Sequence, residues 1–343
     1  MQHEITKSIP LLDNNGNLTE AGYAKRLLPI YDRKKVKGGI TRLKEWDYYY
    51  IGNDHYGVAL TIDDNSLYGQ DTISFLTFDE NPWQITKSEM RMFTFGKTNL
   101  PPSSEKGTVA VSQKNYQMKF AVENGKRRLT GHMENFKDGQ PITVDLTLTK
   151  EPKESMVICT PFEKKAHFYY NQKINCMHAE GSVTIGEKKY HFTPDHSFAV
   201  LDWGRGVWTY ENTWYWGSAS GLVDGKDFGF NIGYGFGDTS AASENMLFYQ
   251  GRAHKLSQVI FQIPMKNGTE DYMTPWKFTS DDGRFEMDFQ PVLDRAACVD
   301  LKLIMSDQHQ VFGKFSGTAV LDDGTRLEVK KLMGFAEKVR NKW

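Results

Sequence analysis

The sequence predicts an all-β fold: two antiparallel barrel or sandwich domains, with one short helix near the amino terminus. Three observations predict it. Aromatic residues make up 13% of the 343 residues against a hydrophobic total of only 39%, so large flat side chains stand in for aliphatic ones. Runs of β-branched and aromatic residues are separated by Gly-Asn, Asn-Gly and Asp-Gly punctuation, the pattern of hairpins. Long amphipathic helical repeats are absent, which argues against a parallel sheet with crossover helices.

Taken in order, Leu11 to Leu18 reads as a turn and Glu20 to Ile30 as the short helix. Strand signals follow at Trp46 to Ile51, Gly57 to Ile62, Thr72 to Phe78, Met90 to Phe95, Thr108 to Ser112, Tyr116 to Val122 and Pro141 to Thr149. Gly52-Asn53, Asn124-Gly125 and Asp138-Gly139 punctuate them. An internal similarity then suggests a boundary. Gly181 to Phe192, followed by Ser197-Phe198-Ala199 and Trp203, resembles Gly317 to Val329, followed by Gly334-Phe335-Ala336 and Trp343. Each is a strand, a Gly-containing turn, a second strand and a Phe-Ala segment ending at Trp, as expected for the closing hairpin of one β unit. The expected domains are residues 1–203 and 204–343, meeting near Trp203 to Gly206.

Composition excludes several function classes. The chain carries 42 Lys+Arg against 43 Asp+Glu, and this balance disfavours nucleic acid as the main partner. Charged Glu4, Lys7, Glu20, Lys25 and Arg26 interrupt the first thirty residues, so no signal peptide is expected. No segment reaches the roughly 20 apolar residues of a membrane span. Cys159, Cys176 and Cys298 are an odd, widely spaced set without Cys-x-x-Cys, which signals neither disulfides nor zinc and fits a reducing cytoplasm.

The chemistry concentrates between Asp195 and Gly221. Four of the eight tryptophans, Trp203, Trp208, Trp214 and Trp216, stand there beside Asp, Arg and His, suggesting a pocket with an apolar wall and a few polar anchors. Gly229 to Asp238 is rich in glycine, but Phe and Tyr fill the intervening sites and no βαβ unit follows, so it is not a dinucleotide fingerprint. Gly217-Ser218-Ala219-Ser220-Gly221 places Ala where a Gly-x-Ser-x-Gly nucleophile would stand. No metal spacing or phosphate loop is visible, so the expectation is a chain that needs no cofactor.

These segments also carry a family resemblance. Leu201 to Trp208 with Trp214-Tyr215-Trp216, Asn231 to Gly235, Glu244-Asn245, Trp276 with Phe278 to Ser280, Gly283-Arg284-Phe285, His309 to Gly317 and Gly334 to Glu337 resemble the domain of unknown function family 2804 over nearly the whole chain. More distantly, the chain is similar to carotenoid hydratases, tocopherol cyclases and fungal Diels-Alderases. The resemblance implies paired lipocalin-like barrels. It also implies cofactor-free acid chemistry, or shape complementarity, toward unsaturated apolar substrates.

Each site residue has two readings. Asp202 with Arg205 reads as a catalytic carboxyl and its tuning partner, or as a structural ion pair at the junction. If that pair is tight, Glu244 or His196 becomes the proton donor; Glu244 reads equally as an ordinary strand start and His196 as a surface turn. Trp208, Trp214 and Trp216 form the pocket wall or the core, with Trp214 and Trp216 sharing a strand face that Tyr215 does not. Asn231, Tyr234, Asn245 and His309 are further binding candidates, with Asn231 and Tyr234 on opposite faces. Three functions compete: a cofactor-independent lyase, hydratase, isomerase or cyclase on an apolar or unsaturated small molecule; a lipocalin-like carrier of a hydrophobic ligand; and a carbohydrate-active protein.

Overall fold

Strand pairing accounts for nearly all the regular structure in the computed structural model, which describes residues 2–300 and 305–342. Two antiparallel sheets each curl into a half-barrel. The first has 13 strands, and its main path runs Trp83–Met92, Tyr68–Thr77, Tyr56–Asp64, Leu43–Gly52, Phe198–Val207, Phe168–Ile185, Gln140–Thr149, Lys126–Lys137, Tyr116–Glu123, Gly107–Gln113. The second has nine strands: Arg252–Lys255, Met246–Tyr249, Lys226–Tyr234, Glu211–Val223, Arg326–Lys342, Met305–Val320, Phe285–Asp300, Trp276–Ser280, Val259–Gln262. In both, an early long strand pairs with the last one: Leu43–Gly52 with Phe198–Val207, and Glu211–Val223 with Arg326–Lys342. The chain changes sheets between Val207 and Glu211.

The turns follow from sequence. Asn124-Gly125 and Asp138-Gly139 adopt positive φ at both residues (50° and 71°; 50° and 80°), as two-residue hairpin turns require. Asp13 Oδ1 accepts from the amides of Asn15 and Asn17 in the expected amino-terminal turn. The two similar hairpins also share a closely packed glycine, which in the second coincides with a register shift between Phe315 and Gly317. A Cβ at Gly181 would meet Asp145 O at 2.2 Å, and one at Gly317 would meet Glu286 O at 2.1 Å, so each glycine lets its hairpin press against the neighbouring strand. Trp343, which ends the second similarity, lies outside the described residues.

Alternation along each strand separates three layers of core. On Phe198–Val207, Leu201 and Trp203 fill the first half-barrel, while Val200 faces the second sheet with Tyr48, Tyr50, Trp216, Phe312 and Phe335. Trp276, Phe278, Phe285 and Phe315 fill the second half-barrel. Burying each such ring removes large apolar areas from water, worth about 1.5–3 kcal/mol apiece.

Two expectations are corrected. Glu20 to Ile30 is not a helix: Gly22–Ala24 pairs as an edge strand with Met156–Pro161, and Pro29–Ile30 pairs with Ile9–Pro10. Gly22 has φ of 156°, with the position of its Cβ 2.6 Å from His3 O, so strand docking overrides the helical composition. The one helical element among the described residues is a single 3-10 turn, Arg33–Lys35, capped by Asp32. The strand expected at Met90 to Phe95 instead spans Trp83–Met92, and positive φ at Phe93 (58°) and Phe95 (44°) takes the chain out of the sheet.

Candidate active site between the sheets

A cavity of about 390 Å³ opens between the two sheets, within the size range of small-molecule sites. Its wall is aromatic. Trp208 packs edge-on against Trp46 (centroids 5.3 Å apart) and Phe236 (4.9 Å), and Trp214 against Phe236 (5.3 Å). The glycines of Trp203-Gly204-Arg205-Gly206-Val207-Trp208 are what let these indoles lie against the strand. A Cβ at Gly204 would sit 1.9 Å from the Trp46 ring, and one at Gly206 would sit 3.0 Å from Trp208 Nε1.

Asp202 lies on the cavity side of its strand and is bound by three donors. Lys173 Nζ stands 2.8 Å from Oδ2, while Asn171 Nδ2 (2.6 Å) and Trp46 Nε1 (3.1 Å) donate to Oδ1. The Lys173 ammonium also sits 3.8 Å above the centroid of the Trp216 ring, joining the sheets through a cation–π contact. Trp216 Nε1 in turn donates to Asn231 Oδ1 at 2.7 Å, and Asn231 Nδ2 donates to Glu244 O at 2.8 Å. Glu244 reaches the cavity because Gly233 leaves room: a Cβ there would lie 3.0 Å from Glu244 Oε1. Burial raises the Glu244 carboxyl above its ordinary value, and Lys173 opposes that rise.

Glu337, on the last strand of the second sheet, is 5% exposed. Trp214 Nε1 and Gln310 Nε2 each donate to it at 2.9 Å, to different oxygens. Burial pushes its carboxyl up to about 7, with Lys173 and Arg295 opposing and Asp202 adding to the rise. Tyr48, Arg295 and Asp63 are among the further polar residues of the lining. Among the described residues no group of three or more His, Cys, Asp or Glu side chains is arranged to hold a metal.

The structure thus brings Asp202, Glu244, Trp208, Trp214 and Trp216 to one cavity, with Asn231 bonded behind its wall. The expected pairing of Asp202 with Arg205 does not form. Three residues apart on one strand, they point to opposite faces; Arg205 is fully buried in the first half-barrel, donating to Asp47 Oδ1 (3.0 Å), Trp46 O (2.7 Å) and Pro101 O (2.8 Å). His196 is exposed and lines a different cavity of about 530 Å³ between the sheets, beside Asp195. Tyr234 stacks on Tyr215 (4.4 Å) on the face away from the site. Asn245 is buried, accepting from Gly233 N (2.7 Å) and donating to Ser257 O (2.8 Å). His309 pairs with Asp294 (2.6 Å) and stacks on Tyr272, while its neighbours Gln308 and Gln310 face the cavity. Sequence reasoning missed Lys173, Tyr48, Gln310 and the siting of Glu337. The available signal was a lone Lys or Glu inside otherwise buried strand stretches, around Phe168 to Ile174 and Leu332 to Ala336.

The model of the domain of unknown function DUF2804 matches residues 2–343. The chain belongs to this family. No curated protein matches the DUF2804 chain. Among solved structures it is similar to an AttH-like protein from Nitrosomonas europaea, with 13% identity, TM-score 0.51, and 88% of this chain and 92% of that one covered. It is also similar to CghA crystallised with Sch210972, with 11% identity, TM-score 0.52, and 88% and 89% covered. Kievitone hydratase from Nectria haematococca matches at 13% identity and TM-score 0.48, with 98% of both chains covered. The first two of these matches show that the DUF2804 chain shares their fold.

Proposed function

We propose that this chain is a cofactor-independent lyase, hydratase, isomerase or cyclase acting on an apolar, unsaturated small molecule in the cavity between the sheets. The observation that carries the reading is Glu337: a buried carboxyl held by Trp214 and Gln310 beside an apolar wall, pushed up by burial to about 7, so that it exchanges a proton near neutral pH. Glu337 would protonate a substrate double bond. The faces of Trp214 and Trp208 would stabilise the developing cation, each contact worth about 0.5–2 kcal/mol. Asp202, paired with Lys173, supplies a fixed negative charge facing that cation, and Glu244 is a second carboxyl to take or return a proton. CghA, a protein of the same fold, was crystallised with a small molecule, which supports a small-molecule ligand here. We further propose a reducing, cytoplasmic setting, supported by free thiols at Cys159, Cys176 and Cys298.

Mass spectrometry of material co-purifying with the protein would supply the substrate. Incubation with that compound should give a product of altered mass or double-bond position. Glu337→Gln should slow the conversion by about 10² to 10⁴ with little change in affinity. Return of the compound unchanged by the wild-type chain would make it a carrier.

A further inference from the structure

Buried polar atoms without partners are scarce in folded proteins, and each asks for an explanation. Three belong to residues that line this cavity, Tyr48, Gln310 and Trp208, and the first two lie at one corner of it. The Tyr48 hydroxyl, on a residue 8% exposed, has no hydrogen-bond partner among the described residues, and neither has Oε1 of Gln310, which is 1% exposed. The Gln310 amide is close enough to the Tyr48 hydroxyl to interact with it, but the pair does not reach the geometry of a full hydrogen bond, and Gln310 donates its Nε2 to Glu337 at 2.9 Å. Tyr48 is held from behind by the edge of Trp216, with centroids 6.0 Å apart. Arg295, Glu337 and Asp202 are the charged groups acting on its hydroxyl. The sheets thus hold an O–H donor from one side and a carboxyl from the other around the same amide.

We propose that this corner of the cavity is a subsite for a carbonyl oxygen, so that the ligand is a conjugated ketone or aldehyde whose oxygen accepts from the Tyr48 hydroxyl. A hydrocarbon of the same shape would leave the hydroxyl buried and unsatisfied, which is why a site of this kind discriminates against it. The inference rests on the reading of this cavity as the ligand site, and not on turnover.

The test uses the full chain and two neutral probes of similar length, trans-chalcone, which carries an enone, and trans-stilbene, which carries no oxygen. Binding is read by quenching of tryptophan fluorescence. Chalcone should bind roughly tenfold more tightly than stilbene, and its carbonyl stretch should move to lower frequency in the Raman spectrum of the complex. Tyr48→Phe should abolish most of that preference and part of the shift while leaving stilbene affinity unchanged. Because the hydroxyl has no partner to lose, the same variant should melt at or above the wild-type temperature. Equal binding of the two probes by the wild type, or a chalcone preference that survives Tyr48→Phe, overturns the subsite while leaving the cavity as a ligand site. Binding of neither probe overturns both. A Tyr48→Phe variant that melts well below the wild type shows that the hydroxyl has a structural role, and overturns the subsite as well.

Discussion

The two half-barrels carry the same three positions across their closing strands. In the first, Tyr48, Asp202 and Lys173 lie opposite one another on Leu43–Gly52, Phe198–Val207 and Phe168–Ile185; in the second, Trp216, Glu337 and Gln310 do so on Glu211–Val223, Arg326–Lys342 and Met305–Val320. The two rows face each other. Lys173 of one covers the Trp216 ring of the other, and Gln310 of the other lies beside Tyr48 of the first. What differs is the partner of the acid. Asp202 has an ammonium at 2.8 Å, whereas Glu337 is bonded by the dipoles of Gln310 and Trp214 and meets Lys173 and Arg295 without an ion-pair contact, and its carboxyl rises to about 7. One pair of equivalent positions therefore yields a fixed charge and a movable proton, set by whether the neighbouring strand offers Lys or Gln.

The comparison breaks most visibly at Lys173. Lys173→Met leaves a buried Asp202 without its counter-ion and should destabilise the fold by about 3–5 kcal/mol in urea denaturation, largely recovered by adding Asp202→Asn. Gln310→Leu should cost only about 1 kcal/mol in the same assay, and equal losses would mean that the two rows are not electrically different. A smaller and more specific effect sharpens the contrast. Gln310→Lys gives Glu337 the partner that Asp202 has, and the Glu337 carboxyl should fall by about 1–3 units, read from the pH dependence of its infrared carbonyl band. A band that titrates as in the wild type would show that burial alone sets it.

The most gradual expected effect is on stability, spread over a range of pH. Folding raises the Glu337 value above the ordinary carboxyl range, so its contribution is full at pH below about 4.5 and is lost as pH climbs through about 7. Wild-type stability should decline across that window relative to Glu337→Gln, by roughly 1–3 kcal/mol. Asp63, also on the cavity wall and raised to about 7 by burial, is controlled by carrying both measurements in an Asp63→Asn background. Parallel pH curves for the two proteins would argue that Glu337 is ionised throughout.

The strands and turns were legible where local rules decide them: alternation, and the Asn-Gly and Asp-Gly pairs that demand positive φ. So was the aromatic concentration around Trp208, Trp214 and Trp216. Glu20 to Ile30 misled because its composition suits a helix while its place at the sheet edge was decided by strand Met156–Pro161, far along the chain. Asp202 and Arg205 misled because nearness in sequence was read as nearness in space, although a period of two sends them to opposite faces. Lys173 and Glu337 were not found because cross-strand register and the packing of one sheet on the other choose their neighbours, and neither leaves a local motif.

The Trp216 ring under Lys173 has a mechanical consequence. The chain joins the two sheets between Val207 and Glu211, and the cavity lies along the same seam, roofed in part where Arg295 of the second sheet donates to Ser74 of the first. A ligand seated there touches both half-barrels at once and acts as a rivet. Occupancy should merge the melting of the two halves into one sharper calorimetric transition, even though no bond within either half has changed.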